Sequence, residues 1–389
     1  MSFTKKEALK EKRMTWINQH NTQDQHNTQE QHNTQDSCHS IREAYQAREK
    51  NFLSRFACPS SMTKGRRKKE DPCSMRTPFQ IDRDRIVYSN AFRRLKHKTQ
   101  VFLSPMGDHY RTRLTHTLEV SQIARNIARA LRLNEDLAEA VALGHDLGHT
   151  PFGHGGETAL QEIYSRDFSH AEQSLRVVDI LDNKGRGLNL TKEVRDGILK
   201  HSKGFGDIMP SAPGETASTV EGKIVRIADI IAYLNHDLDD AIRSGVITTD
   251  DIPAVCVKTL GKTHSERART MIQNVVCNTI VNKDKLELNM GKATFSAMSI
   301  LRQFLYKNVY RSPSVHSEFI KAKKILTELY HHFLNNTDTL QAELKKMELA
   351  TWDPCKNSLE RSACDAIASM TDRYAMEVYS RTFLPKPHV

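Results

Sequence analysis

The sequence predicts an all-α protein, and three features of the 389-residue chain support this class. Apolar residues recur at helical spacing in most windows, as at Ala138, Val141 and Ala142. Residues that begin or end helices flank these windows, such as Asn134 before this one and Gly148 after it. No alternation of apolar and polar residues persists long enough to indicate a strand. We therefore expect a helical bundle with additional helices toward the C-terminus.

Composition indicates a globular chain with a surplus of basic residues. Hydrophobic residues make up 38% and charged residues 27% of the sequence. No run approaches the roughly 18 apolar residues of a membrane span, and the N-terminus has no apolar export signal. The 7 cysteines are scattered without a C-x-x-C pair, which predicts free thiols in a cytoplasmic protein. The net charge of +10 suits the phosphates of a small substrate or a nucleic acid, although a solvated basic surface is the common alternative.

Changes in composition divide the chain into three regions. Residues 19–36 consist of the tandem hexapeptides QHNTQD, QHNTQE and QHNTQD, which contain no apolar residue. Such a segment cannot bury enough surface to offset the entropy of ordering, so we predict a disordered low-complexity tail over residues 1–40. The repeat histidines offer weak metal binding as an alternative. Residues 41–250 are expected to form N-terminal helices and the core, and residues 251–389 a C-terminal helical region packed on that core.

The first helices after the tail carry a high density of arginine. Residues 41–56 predict one helix, and residues 76–95 predict another that packs through interleaved apolar side chains. This second helix is expected to carry Arg93 and Arg94 outward or toward a phosphate, with surface salt bridges as the plainer interpretation.

A histidine begins the inner face of the next predicted helix. His116 shares that face with Val120, Ile123 and Ile127, and Arg113 lies one helical turn earlier. A single inward histidine is more often a satisfied core group than a ligand. Its position beside Arg113 nevertheless allows both side chains to face one site.

The segment Gly144–Glu157 concentrates metal-binding and proton-transfer side chains. His145 and Asp146 close the helix that starts after Asn134, and a glycine and a proline then end it. His149 and His154 follow in a glycine-rich loop, where the backbone can approach a ligand closely. An ordinary helix end with a polar loop suits any one of these residues but fits the cluster poorly.

A long helix predicted after residue 218 carries a polar stripe. Ser218 and Glu221 are spaced as a capping box at its start. Asp229, Tyr233 and Asp237 then recur every four residues on a helix that is otherwise apolar. Because isoleucine and alanine flank Asp229, we expect its carboxylate to be buried against a cation or metal rather than solvated.

Imidazole and carboxylate side chains from separate helices together favour a divalent metal ion. His116, His145, Asp146 and Asp229 follow one another in the order H…HD…D. Such ligands suit magnesium, manganese, iron, cobalt or zinc, and the sequence does not choose among them.

This order, with the text around it, resembles the HD-domain phosphohydrolases, and most closely their dGTPase-like deoxynucleoside triphosphate triphosphohydrolases. The resemblance extends over residues 41–383 and is carried by five blocks in the family's order: RTPFQIDRDRIVYSNAFRRLKHKTQVF, GDHYRTRLTHTLEVSQIAR, HDLGHTPFGHGGE, ADIIAYLNHDLDDAI and MTDRYA. It implies an HD-domain helical bundle that cleaves a dNTP, dGTP among them, to deoxynucleoside and triphosphate. The repeats of residues 1–40 have no counterpart in it.

The resemblance also implies roles for individual side chains. The four residues of the H…HD…D set correspond to metal ligands, and Arg113 to a phosphate contact. His154 corresponds to a proton-transfer histidine whose ring Glu157 orients, while His149 and His170 correspond to further active-site histidines facing the phosphates.

The resemblance also implies that a second group of residues selects the substrate. Tyr233 and Asp237 correspond to groups that face the sugar, where a tyrosine ring would disfavour a ribose hydroxyl. Gln100 would contact sugar or base, although a structural amide is an equal alternative. Asp372 and Arg373 of the MTDRYA block are expected to pair with each other in the core.

Two other functions are compatible with the sequence. The first is another HD-type phosphohydrolase, such as a phosphodiesterase or nucleotidase. The second is a nucleic-acid-binding regulatory protein that keeps the fold, which the basic charge permits but the complete ligand set disfavours. The resemblance further implies a homo-oligomer and a possible dNTP effector or single-stranded DNA partner, without a membrane association.

Overall fold

The computed structural model describes residues 33–102, 110–202, 208 and 214–385, with side chains from Ile41 onward. Helices form nearly all of its regular structure, and the described residues contain a single short antiparallel sheet, which confirms the predicted all-α class. The helices are α1 (Asn33–Phe52), α2 (Pro78–Tyr88), α3 (Asn90–Arg94), α4 (Arg113–Ala130), α5 (Glu135–Gly144), α6 (Gly153–Ile163), α7 (His170–Arg176), α8 (Lys192–Lys200), α9 (Val220–Arg243), α10 (Ala254–Leu260), α11 (His264–Asn278), α12 (Lys292–Leu305), α13 (Pro313–Asn335), α14 (Thr337–Lys346), α15 (Leu359–Ser369) and α16 (Asp372–Phe383).

Shorter elements connect these helices. Val177–Leu181 extends α7 and Tyr306–Tyr310 extends α12, each as a π-helical turn, and Asp182–Gly185 forms a kinked turn. Short 3₁₀ turns lie at Ser60–Met62, Leu95–His97 and Thr249–Asp251. The strands are β1 (Ile280–Val281) and β2 (Leu286–Glu287), in which Ile280 pairs with Glu287.

The N-terminal helix begins earlier than the sequence predicted. Residues 1–32 lie outside the described part, so the prediction of a disordered repeat tail is untested there. Helix α1 starts at Asn33, however, inside the region 1–40 assigned to that tail. The last repeat is therefore continuous with a helix, since propagating a helix by a few residues is easier than nucleating one.

Three helices form the centre of the molecule. Helix α4 packs against both α5 and α9, and α5 in turn contacts α8 and α9. The inward residues are those that the periodicity indicated, including Val120, Ile127, Val141 and Ile231, all fully buried. This packing places the end of α5 beside the start of α4 and the middle of α9.

Of the two predicted helix starts, one is confirmed and the other is wrong. Asn134 caps α5 as predicted, because its side chain accepts a hydrogen bond from the amide of Leu137 at 3.1 Å. The predicted capping box at Ser218 is wrong, because Thr219 caps α9. The buried Glu221 carboxylate instead accepts hydrogen bonds from the amides of Cys58 and Asn134, which fixes the starts of α5 and α9 together.

The arginine-rich segment forms two helices where one was expected. Ser89 adopts an extended conformation, ends α2 and caps α3 through a hydrogen bond from the amide of Phe92. Arg93 is exposed as predicted, but Arg94 is partly buried. Burial lowers the pKa of Arg94, and the charge of Asp182 only partly offsets that effect.

The C-terminal helices pack on the central three at several points. Helix α11 contacts α4 and α9, α12 contacts α9, and α13 lies along α6. Among the described residues no helix has the length and apolarity needed to cross a membrane. The six cysteines with described side chains are unpaired, which agrees with the prediction of free thiols.

Candidate metal and phosphate site

The end of α5 presents one metal-type nitrogen to the centre of the molecule. His145 is the C-terminal cap of α5, and its Nδ1 lies 2.6 Å from the carbonyl oxygen of Ala142. With the proton of Nδ1 donated to that carbonyl, the lone pair of Nε2 points away from the helix. Nε2 is buried and has no hydrogen-bond partner. An unpartnered buried acceptor is costly unless a ligand satisfies it.

His116 and Asp229 approach the same point from two other helices. Nε2 of His116 on α4 lies 3.1 Å from Oδ1 of Asp229 on α9, and Nε2 of His145 lies 4.0 Å from that oxygen. Burial opposes the charged form of His116, but the hydrogen bond and charge of Asp229 outweigh it and raise the pKa of His116.

Asp146 completes the group and joins it to a buried arginine. Its Oδ2 lies 3.6 Å from Nε2 of His145 and 3.8 Å from Nε2 of His116. The same oxygen accepts a 2.6 Å hydrogen bond from Nη1 of Arg113, which is 2% exposed. Burial raises the pKa of Asp146, but the charges of His145 and Arg113 outweigh it and hold that pKa well below its usual range. Donor atoms of His116, His145 and Asp146 thus all lie within 4.8 Å of one another, and Asp229 lies beside the two histidines. We call these four residues the metal group, because their donor types and spacing fit a divalent ion.

A chain of polar contacts supports His116 from behind. Its Nδ1 lies 2.8 Å from Nε2 of His236, and Nδ1 of His236 lies 2.8 Å from Oδ1 of Asp237. The hydroxyl of Tyr310 donates to Oδ2 of Asp237 at 2.6 Å. Outer partners of this kind fix the orientation and tautomer of a metal-binding histidine. Asp237 therefore lines the cavity and also contacts His236, the residue that supports His116.

Glu157 lies on the other side of Asp146, and its main partner differs from the predicted one. Its Oε1 is 2.9 Å from Nδ1 of His170 and also accepts the amide of that residue. Nδ1 of His154, whose ring Glu157 was expected to orient, lies 3.6 Å from Oε2. The reason is geometric, because His170 begins α7 against Glu157, whereas the side chain of His154 is 65% exposed to the cavity.

The charges of this second group are strongly perturbed. Burial disfavours charged His170, but the carboxylate of Glu157 outweighs that effect and raises the pKa of His170 to about 9. Burial and the charge of Arg113 hold the pKa of His149 well below its ordinary value. His149 stacks on His170 with ring centres 4.8 Å apart, and its Nδ1 is buried without a partner.

The loop between α5 and α6 is held by the C-terminal region. Oδ1 of Asp372 accepts the amide of Phe152, and Oδ2 accepts the amide of Thr99. The buried ammonium of Lys98 donates to the carbonyl oxygens of His149 and Ala368. The predicted pairing of Asp372 with residue 373 is therefore wrong. Arg373 is exposed, and the buried carboxylate of Asp372 instead accepts the two backbone amides.

One cavity of about 1070 Å³ unites these groups. Every predicted site residue except His145 lines it: the lining includes Gln100, Arg113, His116, Asp146, His149, His154, Glu157, His170, Asp229, Tyr233 and Asp237. Basic side chains form a cationic wall of the same cavity, namely Lys200, Arg226, Arg302, Arg311 and Lys323. The cavity therefore combines donors that could hold a divalent metal with a cationic lining suited to a polyanion.

Sequence reasoning missed two sets of lining residues. Arg302, Tyr306 and Tyr310 come from the C-terminal region at i, i+4 and i+8, the same spacing that revealed the stripe beginning at Asp229. This spacing could have indicated from the sequence that the three residues share one face. His201 was not among the predicted site residues, yet its Nε2 lies 3.2 Å from Nε2 of His170.

Comparison with known proteins matches two families to this chain. The HD domain matches residues 113–234, which hold all four metal-type donors, and the phosphohydrolase-associated domain matches residues 288–381. A deoxyguanosinetriphosphate triphosphohydrolase-like protein of Desulfatibacillum aliphaticivorans is 61% identical over 350 residues, which cover 90% of this chain and 100% of that protein. Proteins of the same description from Caldanaerobacter subterraneus and Clostridium perfringens are 49% and 44% identical, covering 89% of this chain and 97% and 98% of theirs.

Proposed function

Because the chain belongs to the deoxyguanosinetriphosphate triphosphohydrolase-like family of HD-domain proteins, we propose that it hydrolyses deoxynucleoside triphosphates in a metal-dependent reaction. The products are the deoxynucleoside and inorganic triphosphate, and dGTP is among the substrates. One observation carries the proposal: the metal-type donors, the buried arginine and the cationic wall line the same cavity.

The polyphosphate is expected to lie between the metal group and the cationic wall. A divalent ion held by His116, His145, Asp146 and Asp229 supplies charge to polarise the α-phosphate and to lower the pKa of an attacking water. Arg113 is already fixed by Asp146, so its guanidinium neutralises phosphate charge without a further ordering cost.

The leaving 5′ oxygen requires a proton, and His154 is the group proposed to supply it. Its side chain is 65% exposed, whereas those of His149 and His170 are largely buried, and Glu157 lies 3.6 Å from its Nδ1. An imidazole ring in this position can pass a proton to the leaving oxygen as a general acid. The charged His170 and the neutral His149 are proposed to face the phosphates beside it.

The sugar and base are proposed to contact the wall formed by α9 and α12. Tyr233 and Asp237 come from α9, and the hydroxyl of Tyr310 fixes the carboxylate of Asp237. An aromatic ring against the 2′ carbon leaves no partner for a ribose hydroxyl, which supports selection of deoxynucleotides. Gln100 has a buried side-chain oxygen without a hydrogen-bond partner, which makes it a further candidate for a substrate contact.

Product analysis tests this proposal against the alternatives. Purified protein is incubated with each dNTP and rNTP under Mg²⁺, Mn²⁺, Fe²⁺, Co²⁺ or Zn²⁺, and nucleosides are separated from phosphates by anion-exchange chromatography. Deoxynucleoside and tripolyphosphate in equal amounts are the expected products. Release of pyrophosphate or of a nucleoside monophosphate would instead indicate a different phosphohydrolase. Nucleotide binding without turnover under any of the metals would indicate a regulatory protein.

A further inference from the structure

A buried histidine outside the cavity lining contacts one member of the metal group. His236 lies on α9 and is 0% exposed, and its Nε2 lies 2.8 Å from Nδ1 of His116. The two rings are nearly perpendicular, with an interplanar angle of 82° and centres 4.9 Å apart. A buried imidazole needs partners for its nitrogens, and here the first partner is a predicted metal ligand.

The position of Asp229 decides which nitrogen of His116 carries the proton shared with His236. Nε2 of His116 lies 3.1 Å from Asp229 and is the nitrogen whose lone pair would bind a divalent ion. A neutral imidazole that binds a metal through Nε2 keeps its proton on Nδ1. Nδ1 of His116 therefore donates to Nε2 of His236, which must be an acceptor and must carry its own proton on Nδ1.

Asp237 favours the same arrangement of protons. Its Oδ1 lies 2.8 Å from Nδ1 of His236, where the negative charge attracts the N–H of that ring. Its Oδ2 accepts the hydroxyl of Tyr310 at 2.6 Å. The carboxylate is 3% exposed and also lines the cavity. One carboxylate therefore orders a buried histidine behind the metal group and belongs to the wall formed by α9 and α12.

We propose that His236 is a positioning residue of the metal group, and that through it Asp237 serves both this group and the wall formed by α9 and α12. By accepting the proton of Nδ1, His236 keeps the lone pair of Nε2 of His116 directed toward Asp229. Loss of an outer partner of this kind lowers metal affinity by about 10- to 100-fold. The proposal rests on the metal role of His116 in the function proposed above. It goes beyond that function because metal affinity then depends, without any nucleotide present, on a residue proposed to face the sugar.

Metal binding in the absence of nucleotide tests this role with a matched pair of variants. The protein is stripped with a chelator and titrated with Mn²⁺, free Mn²⁺ is measured by electron paramagnetic resonance, and the binding step that Asp229→Ala removes is assigned to the metal group. His236→Met fills a similar volume without a strong acceptor and should raise the Kd of that step by about 10- to 100-fold. His236→Gln has nearly the same length and can accept from His116 through its amide oxygen, so its Kd should stay within about threefold of the wild type. Asp237→Asn should raise the Kd by about tenfold.

A second histidine–aspartate pair provides the control. Nδ1 of His264 on α11 lies 2.8 Å from Oδ2 of Asp239, outside the metal group, and His264→Gln should leave the Kd unchanged. Circular dichroism checks the fold of each variant. If His236→Met does not fold, an equal Kd in Asp237→Asn and His264→Gln would overturn the proposal.

The outcomes separate this proposal from the proposed function. A wild-type Kd in His236→Met, or an equal loss of affinity in His236→Met and His236→Gln, would overturn the positioning role. A wild-type Kd in Asp237→Asn would overturn the double role of that carboxylate. Absence of Mn²⁺ binding in the wild type would instead overturn the metal group itself and, with it, the metal-dependent reaction.

Discussion

The contact between Asp372 and the site loop allows a quantitative prediction. The carboxylate is 4% exposed and accepts the amides of Thr99 at 2.9 Å and Phe152 at 2.8 Å. Phe152 has a φ of +63° and immediately precedes α6, which carries His154 in its first turn. The hydrogen bond to Phe152 therefore holds a strained residue at the start of the helix that carries His154.

The cost of removing these bonds follows from their charge and burial. A hydrogen bond to a charged acceptor contributes about 1.5–3 kcal/mol, and a buried amide left without a partner costs a similar amount. Asp372→Asn keeps one acceptor oxygen and turns an N–H toward the other amide, so we expect a loss of about 2 kcal/mol. Asp372→Ala loses both acceptors, for which we expect about 4 kcal/mol. These are changes in the free energy of unfolding.

The effect on turnover separates a positioning role from a purely stabilising one. A displacement of about 1 Å in a catalytic group lowers the rate by about 10²-fold. Because His154 follows Phe152 by two residues, we expect Asp372→Asn to lower kcat by at least about tenfold with unchanged metal content. KM is expected to change less, since the basic residues of the cationic wall lie on other elements of the chain.

Urea unfolding and steady-state kinetics on dGTP measure the two effects. Asp284→Asn is the matched control, because this aspartate is exposed between β1 and β2 and should leave both quantities within error of the wild type. If Asp372→Asn unfolds within about 0.5 kcal/mol of the wild type and retains its kcat, the contact does not hold the loop. A loss of stability with full kcat in the native state would refute the positioning role alone.

Other predictions concern the metal group and the Glu157 pair. His145→Ala or Asp146→Asn should abolish metal-dependent hydrolysis with an unchanged helical circular dichroism spectrum, and activity in either would contradict the ligand assignment. His154→Ala should lower kcat by about 10²–10⁴-fold yet retain the metal content of the wild type, whereas loss of metal would make it a ligand. In metal-free protein, Glu157 raises the pKa of His170 to about 9 from about 6.5 in an unfolded chain. The stabilisation from this pair is therefore fully present below pH 6.5 and is lost as the pH rises through about 9. The difference in unfolding free energy between the wild type and Glu157→Gln should accordingly become smaller between these two pH values.

Helix-level features were predictable because their causes are local. The apolar spacing around Val141 and the cap at Asn134 depend on residues within a few positions of each other, and the structure has both. The polar stripe from Asp229 was predictable for the same reason, since a carboxylate among isoleucines must meet a partner. The capping box predicted at Ser218 is wrong because the Glu221 carboxylate accepts hydrogen bonds from two backbone amides that are distant in sequence. It therefore does not bond to the end of its own helix as a capping box requires.

The remaining site residues depend on contacts that no local pattern encodes. His201 resembles any histidine at a helix end until α8 is packed against α5, which brings its ring to within 4.9 Å of that of His145. Lys98 is preceded by His97 and Lys96 in the sequence and would be expected on the surface, yet it is buried between two carbonyl oxygens. Burial lowers its pKa well below the usual value.

The C-terminal region contributes to the site in two distinct ways. It holds the loop between α5 and α6 through Asp372 and through the carbonyl of Ala368, and it lines the cavity with Arg302 and Tyr310. The metal-type donors, in contrast, all lie between residues 113 and 234, within the match to the HD domain. Since Tyr310 also fixes Asp237, which contacts the support of His116, the two regions meet at the metal group itself. The donor set is therefore encoded by one region, while its orientation and the cationic wall require the other.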